Sequence, residues 1–444
     1  MIKQGLFILL IFGIQSIYAS TNENRLTPKA TQTSTTKNLS GTGFSKWVIV
    51  LEDPRSPRRK RLHRGVGYQS LKNYDNDRIL ERLTESIVSE YRLELDTQWP
   101  IISLNVHCLI VTLDNRRQSV LKKLSDDERV RWVQPYNEFT GTLSEDLKTS
   151  SDNSKTNKTT PTKASNQLVN QFSDPYFKLQ SSFKQLRLEK LLMQLDGDGV
   201  TVAVVDSGVS VNHPDLKSAK IHHLNFVDAQ SDNPKLESHL ENEYHGTAVA
   251  SLIVAQRNNQ EGMVGIAPSA TLYGYRGCWQ ESSSLTKCNS LSLSRALDEA
   301  VRLSPDIINL SLTGPQDRLL NNLLNMLISQ GTLVVTAYDK ERLRDRFPKP
   351  QPGVYVAGDP SVDSINMDDV SFVPGNQILT ASPGTGYDFR TGHSLSAAQL
   401  TGILALIKQH TRVNKVKANL LKLYRGNEFL NVGELFCELK SASC

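Results

Sequence analysis

No Cys-x-x-Cys pair and no Cys/His cluster with zinc spacing occurs in the 444 residues, so the five cysteines do not describe a metal site. No stripe of Lys and Arg interleaved with aromatics is present, and a net charge of +5 is modest for this length. Both argue against nucleic-acid binding. Long apolar runs are scarce as well. The one near the N-terminus, Gly5-Leu-Phe-Ile-Leu-Leu-Ile-Phe-Gly-Ile14, is too short for a comfortable membrane span, and no later segment approaches the needed length. Residues 138–172 are rich in Ser, Thr, Asn and Lys and have almost no apolar residues, the composition of a flexible linker.

What is present at the N-terminus is an export pattern. Lys3 precedes the apolar run, and Ala19 offers a small residue for cleavage before Ser20, so residues 1–19 read as a signal peptide and 20–44 as a spacer. The expected destination is secreted or periplasmic, with no membrane attachment after signal removal. Cysteine usage suits an oxidising compartment. Cys278 and Cys288 flank one short polar loop, and their pairing would stabilise by roughly 2–3 kcal/mol through loop closure. Cys437 and Cys444 could close a second small loop, while Cys108, inside an apolar strand pattern, reads as a buried thiol.

Three segments carry chemistry. Thr391-Gly-His-Ser394-Leu-Ser-Ala-Ala is followed by an apolar pattern, which predicts a helix starting at Ser394. A serine there sits beside amides without intrahelical acceptors and at the positive end of the helix dipole, where an oxyanion would be stabilised. Val200-Thr-Val-Ala-Val-Val205 is a buried-strand pattern ending in Asp206-Ser-Gly208, and a carboxylate at the carboxyl end of such a strand lies where open α/β sheets place their sites. Tyr244-His245-Gly-Thr-Ala-Val-Ala puts a histidine at the start of another helix. A serine hydroxyl is a weak nucleophile; it needs an imidazole to take its proton and a carboxylate to orient that imidazole. Asp206, His245 and Ser394 are the candidates for these three roles.

These motifs, with His213-Pro-Asp-Leu216, Val264-Gly-Ile-Ala-Pro268 and Asp306-Ile-Ile-Asn-Leu-Ser-Leu-Thr-Gly314 in order between them, resemble those of the subtilisin-like serine proteases, the subtilases. The resemblance covers roughly residues 170 to 425. It implies a serine endopeptidase that acts through a Ser-His-Asp triad and an acyl-enzyme on peptide or protein substrates. It also implies that Ser311, Leu312, Thr313 and Gly314 bind extended substrate backbone. No cofactor is required for that chemistry; structural calcium is common in the family, but no loop here shows a specific ligand pattern. A monomer is expected.

The resemblance also marks departures. Subtilases usually carry an oxyanion-binding asparagine where this chain reads Leu333-Val-Val-Thr-Ala-Tyr-Asp339-Lys340, leaving Asp339 and Lys340 as the oxyanion candidates. The competing reading is a pseudoprotease or peptide-binding protein with an impaired oxyanion hole; a general secreted hydrolase such as an esterase is the third. His393 and Ala398 replace the usual threonine and proline around Ser394, and His393 reads as structural or substrate-facing. His213 belongs to a turn, and His222, His223 and His239 read as loop residues.

The fold expected is α/β. Apolar strands at 200–205, 272–275, 307–310 and 333–335, separated by helices at 293–302 and 319–329, give a mainly parallel sheet with helices on both faces over a peptidase domain at 173–425, followed by a tail at 426–444. Before it, residues 45–137 read as strands at 47–51, 106–113 and 130–133 with helices at 77–91 and 117–124, a ferredoxin-like α+β domain. This domain resembles the subtilase propeptide, a folding aid and inhibitor of its own enzyme, which implies a self-processing zymogen with maturation cleavage expected within the 138–172 linker. Arg58-Arg-Lys-Arg61 reads as a solvated basic loop, and Asn157-Lys-Thr159 has the glycosylation pattern.

Overall fold

A computed structural model describes residues 43–54, 78–145, 172–227, 243–343, 345–366, 369–414 and 428–439, without the side chains of 145, 412–414, 438 and 439. The expectations for the signal peptide, Arg58–Arg61, Asn157–Thr159, His239 and Cys444 fall outside these residues.

Within Val48-Ile-Val-Leu51, neighbouring residues enter different cores, as period-two alternation requires of a strand buried on both faces. They belong to β1 (Phe44–Glu52), which is followed by α1 (Arg78–Tyr91), β2 (Glu94–Ile101), β3 (Val106–Asp114), α2 (Ser119–Ser125) and β4 (Val130–Pro135). The strands form one antiparallel sheet ordered β2-β3-β1-β4. Ile49, Leu51, Leu109 and Val111 pack with Ile87 of α1 and Leu124 of α2 on one face. The order β-α-β-β-α-β is a split βαβ unit. Strand β2 was not anticipated, because exposed Glu94 and Gln98 dilute its apolar signal.

Residues 138–145 differ from the flexible linker expected of their composition. They form β5 (Glu138–Thr142) and β6 (Ser144–Glu145). Short helices α3 (Ser181–Gln185) and α4 (Glu189–Leu192) then lead into β7 (Thr201–Asp206), β8 (Ile221–Asn225), α5 (Tyr244–Val254) and β9 (Thr271–Arg276). A hairpin of β10 (Cys278–Ser282) and β11 (Leu285–Asn289) is closed by the Cys278–Cys288 disulfide, as expected. The chain continues through α6 (Ser290–Leu303), β12 (Ile307–Leu310), α7 (Arg318–Ser329), β13 (Leu333–Ala337), β14 (Val354–Gly358) and β15 (Val370–Phe372). It ends with β16 (Ile378–Ala381), β17 (Tyr387–Thr391), α8 (His393–Asn414) and α9 (Val432–Leu439).

The central sheet has seven parallel strands ordered β15-β14-β13-β12-β7-β9-β8. Val202 and Val204 of β7 face a core built with Ala248, Val249 and Leu252 of α5 and Leu395, Ile403 and Leu406 of α8. Ala203 and Val205 face α6 and α7 through Leu297, Ala300, Leu320 and Leu323. Helices therefore cover both faces, as a wholly parallel sheet requires. From β7 the chain goes to the edge at β8, returns to β9 beside β7, and then crosses to β12 on the other side of β7, so the carboxyl end of β7 lies at a topological switch point. His222 and His223, read as loop residues, lie in β8; His222 stacks on Tyr273 with ring centroids 4.7 Å apart.

The N-terminal module packs its second face on α6 and α7. Val48, Val50, Trp99, Cys108 and Trp132 share one core with residues of α6 and α7, and Cys108 is the buried thiol expected. Trp99 Nε1 donates to Ser294 Oγ at 3.1 Å. The backbone amides of Ile102 and Ser103 donate to the Asp298 carboxylate at 3.1 and 2.8 Å. Gln134 and Asn137 donate to Asp317 at 2.8 and 3.0 Å.

Candidate active site

Asp206 closes β7 at the switch point, and its Oδ1 accepts from the Ser207 amide at 2.7 Å. His245 is in the first turn of α5. The two segments meet because both are glycine at the contact: a methyl group on Gly246 would lie 2.1 Å from the Gly208 carbonyl oxygen, and Gly208 itself has φ +126°. This approach brings His245 Nδ1 to 2.8 and 2.9 Å from the two Asp206 carboxylate oxygens. Glu243, just before α5, is held by Arg276 at the end of β9 through a buried ion pair of 2.8 Å. Burial holds the Glu243 carboxyl above its ordinary range.

Ser394 is in the first turn of α8, where amides lack intrahelical acceptors. Its Oγ lies 3.1 Å from His245 Nε2 and 3.1 Å from the Ser311 carbonyl oxygen, so its single proton can be given to either. Ser311 Oγ donates to Asn309 Oδ1 at 2.8 Å, and Asn309 Nδ2 donates to Thr401 Oγ1 at 2.9 Å. The end of β12 is thus tied to α8 beneath the serine. Asp206, His245 and Ser394 are each no more than 3 % exposed. The arrangement can move a proton from a hydroxyl to an imidazole whose other nitrogen is fixed by a carboxylate, in surroundings that exclude water.

Outside the triad, the residues singled out in the sequence have partners of their own. The Asp339 carboxylate accepts from the Glu341 and Arg342 amides at 2.9 and 3.3 Å. Lys340 Nζ lies in an ion pair with Asp363 at 2.6 Å, with much of its side chain exposed. His393 is largely buried: its Nδ1 accepts from the Asp359 amide at 3.2 Å, its ring meets Tyr338 edge-on, and burial lowers its pKa. Nε2 of His213 lies 3.0 Å from the Gly386 carbonyl oxygen, and its Nδ1 accepts from the Asp215 amide at 3.1 Å, a turn role. Cys437 is in α9.

The Ser311–Gly314 segment follows β12 and is paired with the chain itself. Thr313 and Thr140 of β5 exchange both backbone hydrogen bonds at 2.9 Å. The reading of 138–172 as linker missed this, since Phe139 is its sole apolar residue over the first five positions. Arg346 was missed as well. It is fully buried and donates through Nη1 to the Ala337 carbonyl at 3.0 Å, while its Nε and Nη2 have no hydrogen-bond partner among the described residues. Nothing in Arg342-Leu-Arg-Asp-Arg346 marks it apart from a solvated charge run.

Part of the chain is similar to known proteins. A sequence profile described as "Subtilase family" matches residues 197–341. An intracellular serine protease of Paenibacillus polymyxa is 33 % identical over 231 residues, which span 49 % of this chain and 68 % of that protein. The major intracellular serine protease of Bacillus subtilis (strain 168) is 32 % identical over 228 residues, 48 % of this chain and 70 % of that protein. Among solved structures, fervidolysin from Fervidobacterium pennivorans, a keratinolytic enzyme related to subtilisin, superposes with a TM-score of 0.59 at 17 % identity. That superposition covers 88 % of this chain and 60 % of fervidolysin and speaks to the fold. The parallel sheet, the motifs carried at its strand ends and these relatives agree: the chain belongs to the subtilase family of serine proteases.

Proposed function

We propose that the protein is a secreted or periplasmic serine endopeptidase, made as a self-processing zymogen whose N-terminal module both assists folding and blocks the cleft. The observation that carries this reading is the unbroken chain of contacts from Asp206 through His245 to Ser394. In the proposed reaction Ser394 Oγ attacks a peptide carbonyl while His245 Nε2 takes its proton and then delivers it to the leaving amine. Asp206 holds the imidazole tautomer and stabilises its charged form. Water then hydrolyses the acyl-enzyme. Amides in the first turn of α8 serve the oxyanion, and Asp339 and Lys340, committed to other partners, are assigned no direct part in it. Export is supported by the leader pattern at residues 1–19 and by the Cys278–Cys288 disulfide. The enzyme is proposed to act as a monomer and to need no cofactor for chemistry.

The test is hydrolysis of an unfolded protein and of simple esters by the matured enzyme and by Ser394→Ala. Peptide hydrolysis abolished by the substitution supports the reading. Ester turnover without peptide turnover favours a general hydrolase. Substrate binding without either favours a pseudoprotease.

A further inference from the structure

Residues 138–145 cross the active site in an extended conformation. On one side β5 pairs antiparallel with β11, from Glu138 opposite Asn289 to Thr142 opposite Leu285. On the other side Thr140 pairs with Thr313, which fixes the register against the substrate-binding segment. Gly141 then lies over the imidazole: a methyl group on it would be 3.0 Å from His245 Nε2 and 3.0 Å from the Ser311 carbonyl oxygen. One residue later the Thr142 carbonyl oxygen faces Gly392, where an added methyl group would approach it to 2.9 Å. Beyond that point the Leu143 amide donates to the Ser284 carbonyl at 3.1 Å, and Ser144 and Glu145 of β6 pair with Thr391 and Arg390 of β17. The chain thus enters along Thr313, passes His245, and leaves along the strand that leads directly into Gly392 and Ser394.

Side chains of this segment are unequally held. Phe139 is 1 % exposed and meets the Phe347 ring edge-on at 5.5 Å, over Gly314, where a side-chain carbon would sit 2.3 Å from its ring. Leu143 is buried, whereas Glu138, Thr142 and Ser144 are exposed. Binding by strand addition takes its affinity from the backbone and its selectivity from the pockets at alternate residues.

We propose that the self-processing cut falls at the Thr142–Leu143 bond, with residues 138–145 seated as the substrate strand. The same cradle selects external chains with an aromatic residue at the position of Phe139 and glycine at the position of Gly141. The proposal rests on the reading above of a self-processing serine endopeptidase and adds the bond and the sequence preference. Ser394 Oγ bonds to the Thr142 carbonyl carbon, its proton passes through His245 Nε2 to the Leu143 nitrogen, and the Thr142–Leu143 C–N bond breaks. Water then cleaves the ester, restoring the serine hydroxyl and leaving the Thr142 carboxylate.

N-terminal sequencing of the matured wild-type chain should begin at Leu143, with a companion fragment ending at Thr142; full-length Ser394→Ala should stay whole. In full-length chains, Phe139→Ala and Gly141→Val should each slow this cut at least about tenfold, the discrimination typical of a lost pocket contact. The matured enzyme should show the same loss on hexapeptides of residues 139–144 changed at those two positions. A first mature residue elsewhere, with Ser394→Ala uncut, overturns the assigned bond while leaving the peptidase reading intact. Equal cleavage of all the hexapeptides overturns the preference. Whole chains in both forms, without hydrolysis of any peptide, refute the peptidase reading and the cut with it. Hydrogen exchange on Ser394→Ala judges the seating separately: the Thr140 and Leu143 amides should be protected, and Gly141→Val should release them. Rapid exchange at both in Ser394→Ala would show that the segment does not occupy the cleft.

Discussion

At the scale of the residue, the site depends on one imidazole held from both sides. Asp206 accepts from His245 Nδ1, which leaves Nε2 as the atom that faces Ser394 Oγ. Asp206→Asn keeps the size of the side chain but reverses the tautomer preference, so kcat should fall about 10⁴-fold while the circular dichroism spectrum is unchanged. Asp339 and Lys340 give the opposite expectation. Loss of a true oxyanion donor costs about 10²–10³ in turnover, and because both side chains are engaged elsewhere, Asp339→Ala and Lys340→Ala should each cost less than about tenfold. The triad was legible in the sequence because each member sits at the edge of a strongly patterned element, one strand and two helices. Arg346 was not, because it is held by the Ala337 carbonyl while its neighbour Phe347 bridges to Gly314, contacts that no local pattern encodes.

Elements set where those residues stand. The first turn of α5 is pressed against the loop after β7 with no room for a side chain at Gly246, and the obstructing atoms are backbone. Gly246→Ala should therefore displace His245, with loss of both stability and activity in thermal denaturation and peptide hydrolysis. Arg276 and Glu243 anchor the same turn to β9. Arg276→Met leaves a buried carboxylate without its cation, and unfolding free energy should fall by about 3–5 kcal/mol in urea denaturation. The strands and helices around these anchors follow from apolar periodicity, and the parallel sheet was expected from their alternation. The short strands β5, β6 and β8 were not, since their signal lies in pairing partners far away in the chain. Thr140 is a polar loop residue by composition and a strand residue only because Lys287 and Thr313 flank it.

At the scale of the whole molecule, the described residues from Gly43 onward form one compact unit, in which the N-terminal module is docked on α6 and α7 and its last strand leads into the cleft. Asp298 is a fixed point of that docking, fully buried and accepting two backbone amides. Burial raises its pKa. A carboxyl that binds its proton more tightly when docked favours docking at low pH. That contribution is lost as pH rises from the ordinary carboxylate value of about 3.9 through the raised one. Asp298→Asn should flatten this part of the pH dependence of Tm in the Ser394→Ala background.

The central claim, that the chain is an enzyme loaded with its own first substrate, is met most directly by intact mass of the wild-type protein beside Ser394→Ala. The account predicts a wild-type chain divided after Thr142 and a full-length Ser394→Ala. Division of both chains at the same bond would contradict it, because the cut would then be made by another protease and not by Ser394.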